Sequence, residues 1–214
     1  MNNKYKLLEN DTKNWHGKIL YRIQALKAFG NVEVDDLGGY IEKEDNLSSC
    51  GNAWVYGNAK VYGNAKVCGY AEVSGYAEVS GDAWVSGDAK VWGNAKVSGN
   101  AEVSGNAEVS GYAEVSGDAE VSGDAKVWGD AKVWGNAKIR LKVKIKNNND
   151  YLSIHPVAGC CSLTLTRCRM AFIGCFSGNW EELLEKSTNY YSGKYNEQCK
   201  ATLALAEAFF GEGV

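Results

Sequence analysis

The chain has 214 residues with 23 basic and 26 acidic side chains, a net charge of −3, and lacks the basic surface that a nucleic-acid groove needs. Its first residues lack the apolar core of a signal peptide, and no apolar run approaches the roughly 18 residues of a membrane span. Seven cysteines without a C-x-x-C pair or a zinc spacing favour reduced thiols, and hence a cytoplasmic protein.

Residues 1–50 predict a cap on the repeat array that follows them. Segment 17–29 alternates well enough for one or two strands, and segment 30–35 is an imperfect hexapeptide. Residues 37–50 then enter a register in which Asp45, Asn46, Leu47 and Ser49 match the turn and inward positions of one further repeat. A repeat array needs such a cap because its first strands would otherwise offer free edges.

Fifteen consecutive copies of one hexapeptide fill residues 51–140. Each reads Gly–(Asn/Asp/Tyr)–Ala–x–Val–x, with Ile139 replacing Val in the last copy. Val favours a strand, and the Ala two residues earlier points to the same side. Gly, Asn and Asp tolerate the positive φ that a corner requires. Each copy therefore predicts one short strand and one corner, with Ala and Val facing inward.

This repeat resembles that of the hexapeptide-repeat left-handed parallel β-helix family. The resemblance implies three hexapeptides in each 18-residue coil, and therefore about five regular coils plus a cap. The outward residues before each Val agree with that period, because residues 18 apart form ladders of alternating charge such as Glu72–Lys90–Glu108–Lys126. Stacked opposite charges favour this register, and a slipped coil would lose them.

The composition changes after the array. Residues 141–146 predict a last strand, 147–150 a polar turn and 151–176 two or three strands. A helix over 179–191 would follow an N-cap at Ser177 or Asn179, and a second helix over 196–211 would end at Gly211. The expected fold is an all-β solenoid with a small C-terminal α+β domain, divided into 1–50, 51–146 and 147–214.

Two short segments, LGGYIEKEDNLS (37–48) and IGCFSGNWEELLEK (173–186), are similar to sequences in bacteriophage and prophage hexapeptide-repeat proteins of unassigned function. Many other members of the β-helix family are acyltransferases that use acetyl-CoA or an acyl carrier protein and place a catalytic His at a subunit boundary. Here the array contains no His, so a general base could come only from His16 or His155. His155 and its neighbouring cysteines match no zinc spacing, and we expect no metal or cofactor.

The aromatic residues that interrupt the array are the candidate site. An 18-residue coil sorts Trp54, Tyr56, Trp92 and Trp128 onto one face, Tyr62 and Trp134 onto a second and Trp84 onto a third. Tyr70, Tyr76 and Tyr112 fall at corners, where a positive φ would strain them. Either the cap covers Trp54 and Tyr56 while the tail domain covers Trp128 and Trp134, or these side chains form an interface.

The leading hypothesis is a non-enzymatic interaction or scaffold protein that binds a protein partner or itself, as a dimer or trimer. Trp92 lies in the middle of the array, where neither end covers it easily. The other candidate contact residues are Trp54, Tyr56, Trp84, Tyr112, Trp128 and Trp134. The phage resemblance suggests action in an infected cell, for example as an anti-CRISPR-like inhibitor of a host defence complex. The alternative is an acyltransferase-like enzyme that uses acetyl-CoA.

Overall fold

A three-sided parallel β-solenoid forms the centre of the molecule in the computed structural model, which describes residues 3–157, 161–173, 176–190 and 194–211. Each side is a stack of two-residue strands, and stacked neighbours lie 18 residues apart in the chain. The first face contains β4 Trp54–Val55, β7 Glu72–Val73, β10 Lys90–Val91, β13 Glu108–Val109, β16 Lys126–Val127 and β19 Lys144–Ile145.

The other two faces follow the same pattern. The second face contains β5 Lys60–Val61, β8 Glu78–Val79, β11 Lys96–Val97, β14 Glu114–Val115 and β17 Lys132–Val133. The third face contains β6 Lys66–Val67, β9 Trp84–Val85, β12 Glu102–Val103, β15 Glu120–Val121 and β18 Lys138–Ile139. The solenoid class, the parallel strands and the 18-residue coil predicted from the repeat are therefore confirmed.

The charge ladders stack in the predicted register. On the first face, Lys90 pairs with Glu72 on one side and Glu108 on the other. The Lys90 ammonium lies 3.3 Å from Glu72, and the Lys126 ammonium lies 2.8 Å from Glu108. These pairs are exposed, so each adds less than about 1 kcal/mol and mainly opposes a slipped register.

Two stacked pairs carry like charges. Lys126 stacks on Lys144 at the end of the first face, and Arg140 compensates for an acidic pair on the third face. Glu102 stacks on Glu120 on the third face. Arg140 donates from Nε and Nη2 to the Glu120 carboxylate at 2.9 and 2.8 Å. Burial alone would raise the pKa of Glu120, but the hydrogen bonds and charge of Arg140 hold that pKa below its usual value.

The interior of the array consists of Ala and Val side chains, with Ile139 in the last copy, and these are at most 1% exposed. The corners are made by glycine, whose φ in the array lies between 60° and 76°. Within the array, which the structure describes completely, the non-glycine residues all have negative φ. The prediction that Tyr70, Tyr76 and Tyr112 are strained is therefore wrong, because the preceding glycine takes the left-handed conformation.

The first coil is two residues longer than the regular ones. Tyr40 pairs with Lys60 and Leu47 bridges Val67, and both separations are 20 residues. Leu47 therefore occupies a Val position and not the predicted Ala position. Ser49, predicted to face inward, is exposed. The extra residues lie between Leu47 and β4, where periodicity alone cannot place them.

The N-terminal cap continues the second face with antiparallel strands. β1 Tyr5–Trp15 pairs with β2 Lys18–Ala25, β2 pairs with β3 Leu37–Ile41, and β3 joins β5 in parallel. Segment 17–29 thus supplies one strand, while β1 was not predicted because its sequence is polar on both sides. Segment 30–35 is a turn closed by a bridge between Phe29 and Val32, and not a hexapeptide.

Side chains from β1 close the open end of the solenoid. Tyr5 lies 2.7 Å from the carbonyl oxygen of Leu47, to which its hydroxyl donates. Lys4 donates to the carbonyls of Ala53 at 2.7 Å and Ser48 at 3.1 Å. The carbonyls of this first coil have no earlier coil to bind, so these two buried side chains satisfy them.

The tip of the β1–β2 hairpin rests on the second face. The Trp15 indole lies over the Lys60 ammonium, 4.0 Å from the ring centroid. The same indole donates its N–H to Glu78 at 3.2 Å. The hairpin therefore covers the first two coils of the second face.

The predicted last strand, 141–146, forms a sixteenth repeat in which Leu141 stands at the glycine position. Leu141 has a φ of 62°, a conformation that costs a non-glycine residue about 1–2 kcal/mol. We expect Leu141→Gly to raise the free energy of unfolding by about 1 kcal/mol, measured by urea denaturation, since the relief exceeds the added chain entropy. Leu141→Ala keeps the strain and should bring no gain; an equal gain would contradict this explanation.

The C-terminal domain is an antiparallel sheet with two helices. Four strands occur where two or three were predicted: β20 Tyr151–Val157, β21 Cys161–Thr166, β22 Met170–Ile173 and β23 Phe176–Asn179. The helices are α1 Trp180–Tyr190 and α2 Lys194–Phe210. Asn179 is the N-cap of α1, because its side chain accepts the Glu182 N–H at 2.8 Å and Glu182 accepts the Asn179 N–H at 3.0 Å.

This domain caps the last coil. Its first segment contains the short 3₁₀ turn Asn148–Asp150, at the predicted polar turn. Asn148 accepts the N–H of Lys132 at 2.7 Å, and Tyr151 donates to the carbonyl of Lys132 at 2.8 Å. Thr164 accepts the N–H of Lys138 at 2.9 Å. These side chains replace the missing next coil at the final strands of the second and third faces, β17 and β18.

Candidate functional site

Trp54 lies on β4 of the solenoid, but the N-terminal cap buries its side chain. It is 1% exposed, and its ring centroid lies 6.1 Å from that of Tyr5 and 5.3 Å from that of Phe29. The adjacent Tyr56 is half-buried, and burial together with the nearby Glu72 raises its pKa. Of the two interpretations of this face, coverage by the cap is therefore correct for Trp54, which the structure removes from the candidate contacts.

Five aromatic side chains line the edge between the first and second faces, one in each of five consecutive coils. This aromatic edge consists of Tyr56, Tyr76, Trp92, Tyr112 and Trp128. Tyr76, Trp92 and Tyr112 are 60%, 47% and 66% exposed, while Tyr56 and Trp128 are half-buried. With strands stacked about 4.8 Å apart, the aromatic edge is roughly 19 Å long.

The aromatic edge follows a simple alternation across the corner. In one coil the residue before the corner glycine is the small Ser74, and the residue after that glycine is Tyr76. In the next coil the residue before the glycine is Trp92, and the residue after it is Asn94. Ser110 stacks between Trp92 and Trp128 and is only 7% exposed. Each coil thus presents one ring, and this alternation is the sequence signal that would have added Tyr76 to the predicted contacts.

The other two edges of the solenoid carry polar ladders. On the edge between the second and third faces, Asn64 donates to Asp82 at 3.0 Å and Asn100 donates to Asp118 at 2.8 Å. On the remaining edge, an Asn–Asp pair 18 residues apart is joined at 2.9 Å. A row of aromatic rings is therefore specific to one edge and does not follow from the repeat itself.

Two predicted contact residues lie away from the aromatic edge. Trp134, on the second face, is 67% exposed, so the prediction that the tail domain covers it is wrong. Trp84, on the third face, is 49% exposed and donates its N–H to the Cys68 sulfur at 3.0 Å. Neither Trp134 nor Trp84 is therefore part of the aromatic edge.

Trp84 borders a pocket of about 620 Å³ at the start of the third face. The pocket exists because the longer first coil leaves a step beside Leu47. Its charged side chains are exposed and therefore solvated, which gives no anchor for a specific small ligand. The lining residues are Glu44, Asp45, Leu47, Ser48, Ser49, Lys66, Val67, Cys68 and Trp84.

A second pocket, of about 210 Å³, lies between the two C-terminal helices. The Arg169 guanidinium stacks on the Trp180 ring at 4.7 Å from its centroid. Arg169 also forms ion pairs with Glu181 at 2.8 Å and Glu207 at 3.9 Å. The charge of this pocket is thus already balanced within the domain, and Arg169 holds the helices against the sheet.

The two histidines remain apart from the aromatic edge. His16 lies in the exposed turn between β1 and β2, with its ring centroid 5.0 Å from Trp15 and 6.4 Å from Tyr62. Among the described residues, no side chain hydrogen-bonds to the His16 imidazole. His155 lies on β20, and its side chain is outside the described part of the structure, as are Cys160 and Cys175.

In the described ranges, no group of three His, Cys, Asp or Glu side chains is arranged to hold a metal ion. The described cysteines Cys50, Cys68, Cys168 and Cys199 are free thiols. None of the helices in the part of the chain that the structure describes is long and apolar enough to cross a membrane. The aromatic edge is therefore the surface on which a functional interpretation depends.

No protein-family model matches the chain, and no curated protein matches it. The class of protein is a capped parallel β-solenoid with an aromatic edge, and the hexapeptide-repeat family remains a resemblance. The function must be inferred from the surface.

Proposed function

We propose that this protein is a non-enzymatic interaction protein whose solenoid presents the aromatic edge to a protein partner. The observation that supports this most directly is the presence of one aromatic ring in each of five consecutive coils on a single edge. Trp and Tyr are the residues that dominate binding energy at protein interfaces. The other two edges carry polar ladders and single exposed rings such as Tyr70 and Trp134, so a ring in every one of five coils distinguishes this edge.

The solenoid holds these rings in fixed positions before a partner arrives. Backbone hydrogen bonds link every regular coil to the next, for example from Trp92 N–H to the Val109 carbonyl at 2.9 Å. Tyr and Trp lose little conformational entropy on binding, and a rigid scaffold reduces the remaining cost. The convex edge encloses no cavity, so it suits another protein surface better than a small molecule.

A photoreactive benzophenone amino acid at position 92 tests this proposal. In bacteria that produce the chain, irradiation should join position 92, and likewise position 112, to a protein. The same amino acid at position 134 is the matched control, because Trp134 is 67% exposed but lies off the aromatic edge. We expect at least about tenfold less adduct there. No adduct at 92 and 112, or equal yields at 134, would overturn the proposal.

The resemblance of segments 37–48 and 173–186 to phage proteins is the support for a more specific version. In that version the partner is a host defence complex in an infected bacterium, and mass spectrometry of the adduct would identify it. The acyltransferase alternative requires His16 or His155 as a general base. The exposed turn position of His16 gives that reaction no support from the described residues.

A further inference from the structure

We infer that the aromatic edge binds the same edge of a second copy of this chain, with the two solenoids antiparallel and their first faces in contact. This inference rests on the proposed function, because it names the partner. The outward residues of the first face supply the argument. Between Trp54, which the cap buries, and Lys144 in the last coil, they are Glu72, Lys90, Glu108 and Lys126.

This charge order is self-complementary when one copy is reversed. A two-fold axis across the face, between the coils of Lys90 and Glu108, sets Lys90 opposite Glu108 of the second copy. The same rotation sets Glu72 opposite Lys126, so that all four charges meet an opposite charge. A shift by one coil in either direction would set like charges together and cost binding energy. The charges therefore specify one register of an antiparallel dimer.

The same rotation brings the two aromatic edges together on one side of the dimer. It sets the coil that carries Trp92 opposite the coil that carries Ser110, so bulky and small positions alternate across the contact. Tyr112 falls opposite Asn94 of the second copy, and a phenol and an amide can hydrogen-bond. Both the apolar and the polar residues of this edge thus agree with the register set by the charges.

Neither of the other faces offers an equivalent contact. The centre of the third face carries Glu102 and Glu120, which would meet each other across the same two-fold axis. The second face repeats the charge order of the first, but Trp15 rests on Lys60 and Glu78 there. On the first face from β7 to β16, the described part of the chain adds no ion pair or hydrogen bond from outside the solenoid.

The contact is small. The four strands from β7 to β16 span about 14 Å, which puts the buried area at the lower end for specific protein interfaces. We therefore expect a dissociation constant in the micromolar range, roughly 1–100 µM. Sedimentation equilibrium of the full chain at up to about 200 µM should detect this dimer, and a wild-type chain that stays monomeric there would overturn the inference.

Two charge reversals test the register. Lys90→Glu places a glutamate opposite Glu108 twice in each homodimer, and Glu108→Lys places two lysines together in the same way. Each variant alone should dissociate about tenfold more readily than wild type. An equimolar mixture should dimerise again, since the introduced glutamate of one variant then faces the introduced lysine of the other. Failure of the mixture to recover would contradict the antiparallel register.

Lys96→Glu and Glu114→Lys are the matched controls. They make the same reversals within the second-face ladder, where Lys96 stacks on Glu78 and Glu114. They should leave the dimer unchanged, and an equal effect would show that the first face is not the contact. All four positions are outward, and circular dichroism should show an unchanged fold.

Cross-linking separates failure of this inference from failure of the proposed function. An adduct at position 92 with twice the mass of the chain supports the dimer. A monomeric chain whose position 92 joins a different protein would end the dimer inference and keep the proposed function. A monomer without any adduct would end both.

Discussion

Replacing Gly117 with alanine should lower the free energy of unfolding by about 3 kcal/mol, whereas the same change at Gly135 should cost only about 1 kcal/mol. Both glycines stand in the same corner column, with φ of 72° and 68°. A Cβ on Gly117 would lie 3.0 Å from the nitrogen and 3.1 Å from the oxygen of Gly135. A Cβ on Gly135 would meet nothing within 4 Å.

The difference between these two variants isolates the cost of crowding between coils. Both alanines incur the strain of positive φ, but only the one at position 117 presses on the backbone of the next coil, which cannot move without breaking its ladder. Urea denaturation followed by circular dichroism gives the two free energies. Equal losses would mean that adjacent coils separate easily, and that the column of glycines serves conformation alone.

The regular half of the fold could be predicted because its information is local. Ala and Val two residues apart define an inward face, and Gly marks each corner. The outward charges favour the 18-residue coil, in which Lys90 stacks between Glu72 and Glu108. Every rung repeats the same local rules, so fifteen copies remove the ambiguity of one.

The irregular ends could not be predicted in the same way, because tertiary contacts decide them. β1 is polar along most of its length and forms a strand only because β2 provides a partner. The position of Leu47 depends on two extra residues that change the register of the first coil. Trp54 repeats the outward position of its neighbours, yet Tyr5 and Phe29 bury it from segments distant in the sequence.

The candidate site was predicted in part. Sorting by face grouped Tyr56, Trp92 and Trp128 correctly, and Trp92 is as exposed as its position in the middle of the array suggested. Tyr112 was also among the predicted contacts, whereas Tyr76 was treated only as a strained corner residue, and neither was placed with Trp92. The structure shows that one edge joins both columns, which a comparison of faces alone does not reveal.

The Lys4 ammonium should make stability depend on pH above neutrality. Lys4 is completely buried and donates to the Ala53 and Ser48 carbonyls at the solenoid end. Burial, and then the charge of Lys27, lower the pKa of Lys4 from its ordinary value of 10.5 to about 8. Between these two values the unfolded chain holds more protons than the folded protein, so stability rises with pH in this window.

We expect the wild type to gain about 2 kcal/mol over a Lys4→Met variant between roughly pH 7.5 and 10, measured by urea denaturation at each pH. Met has a similar length and does not titrate there. Burial also raises the pKa values of Tyr56, Tyr62 and Tyr151. Because these tyrosines are present in both proteins, their effect on stability cancels when the variant is subtracted from the wild type. The neutral amine still donates to both carbonyls, so the end stays closed. Parallel pH profiles would instead mean that water reaches the Lys4 ammonium and that the cap opens in solution.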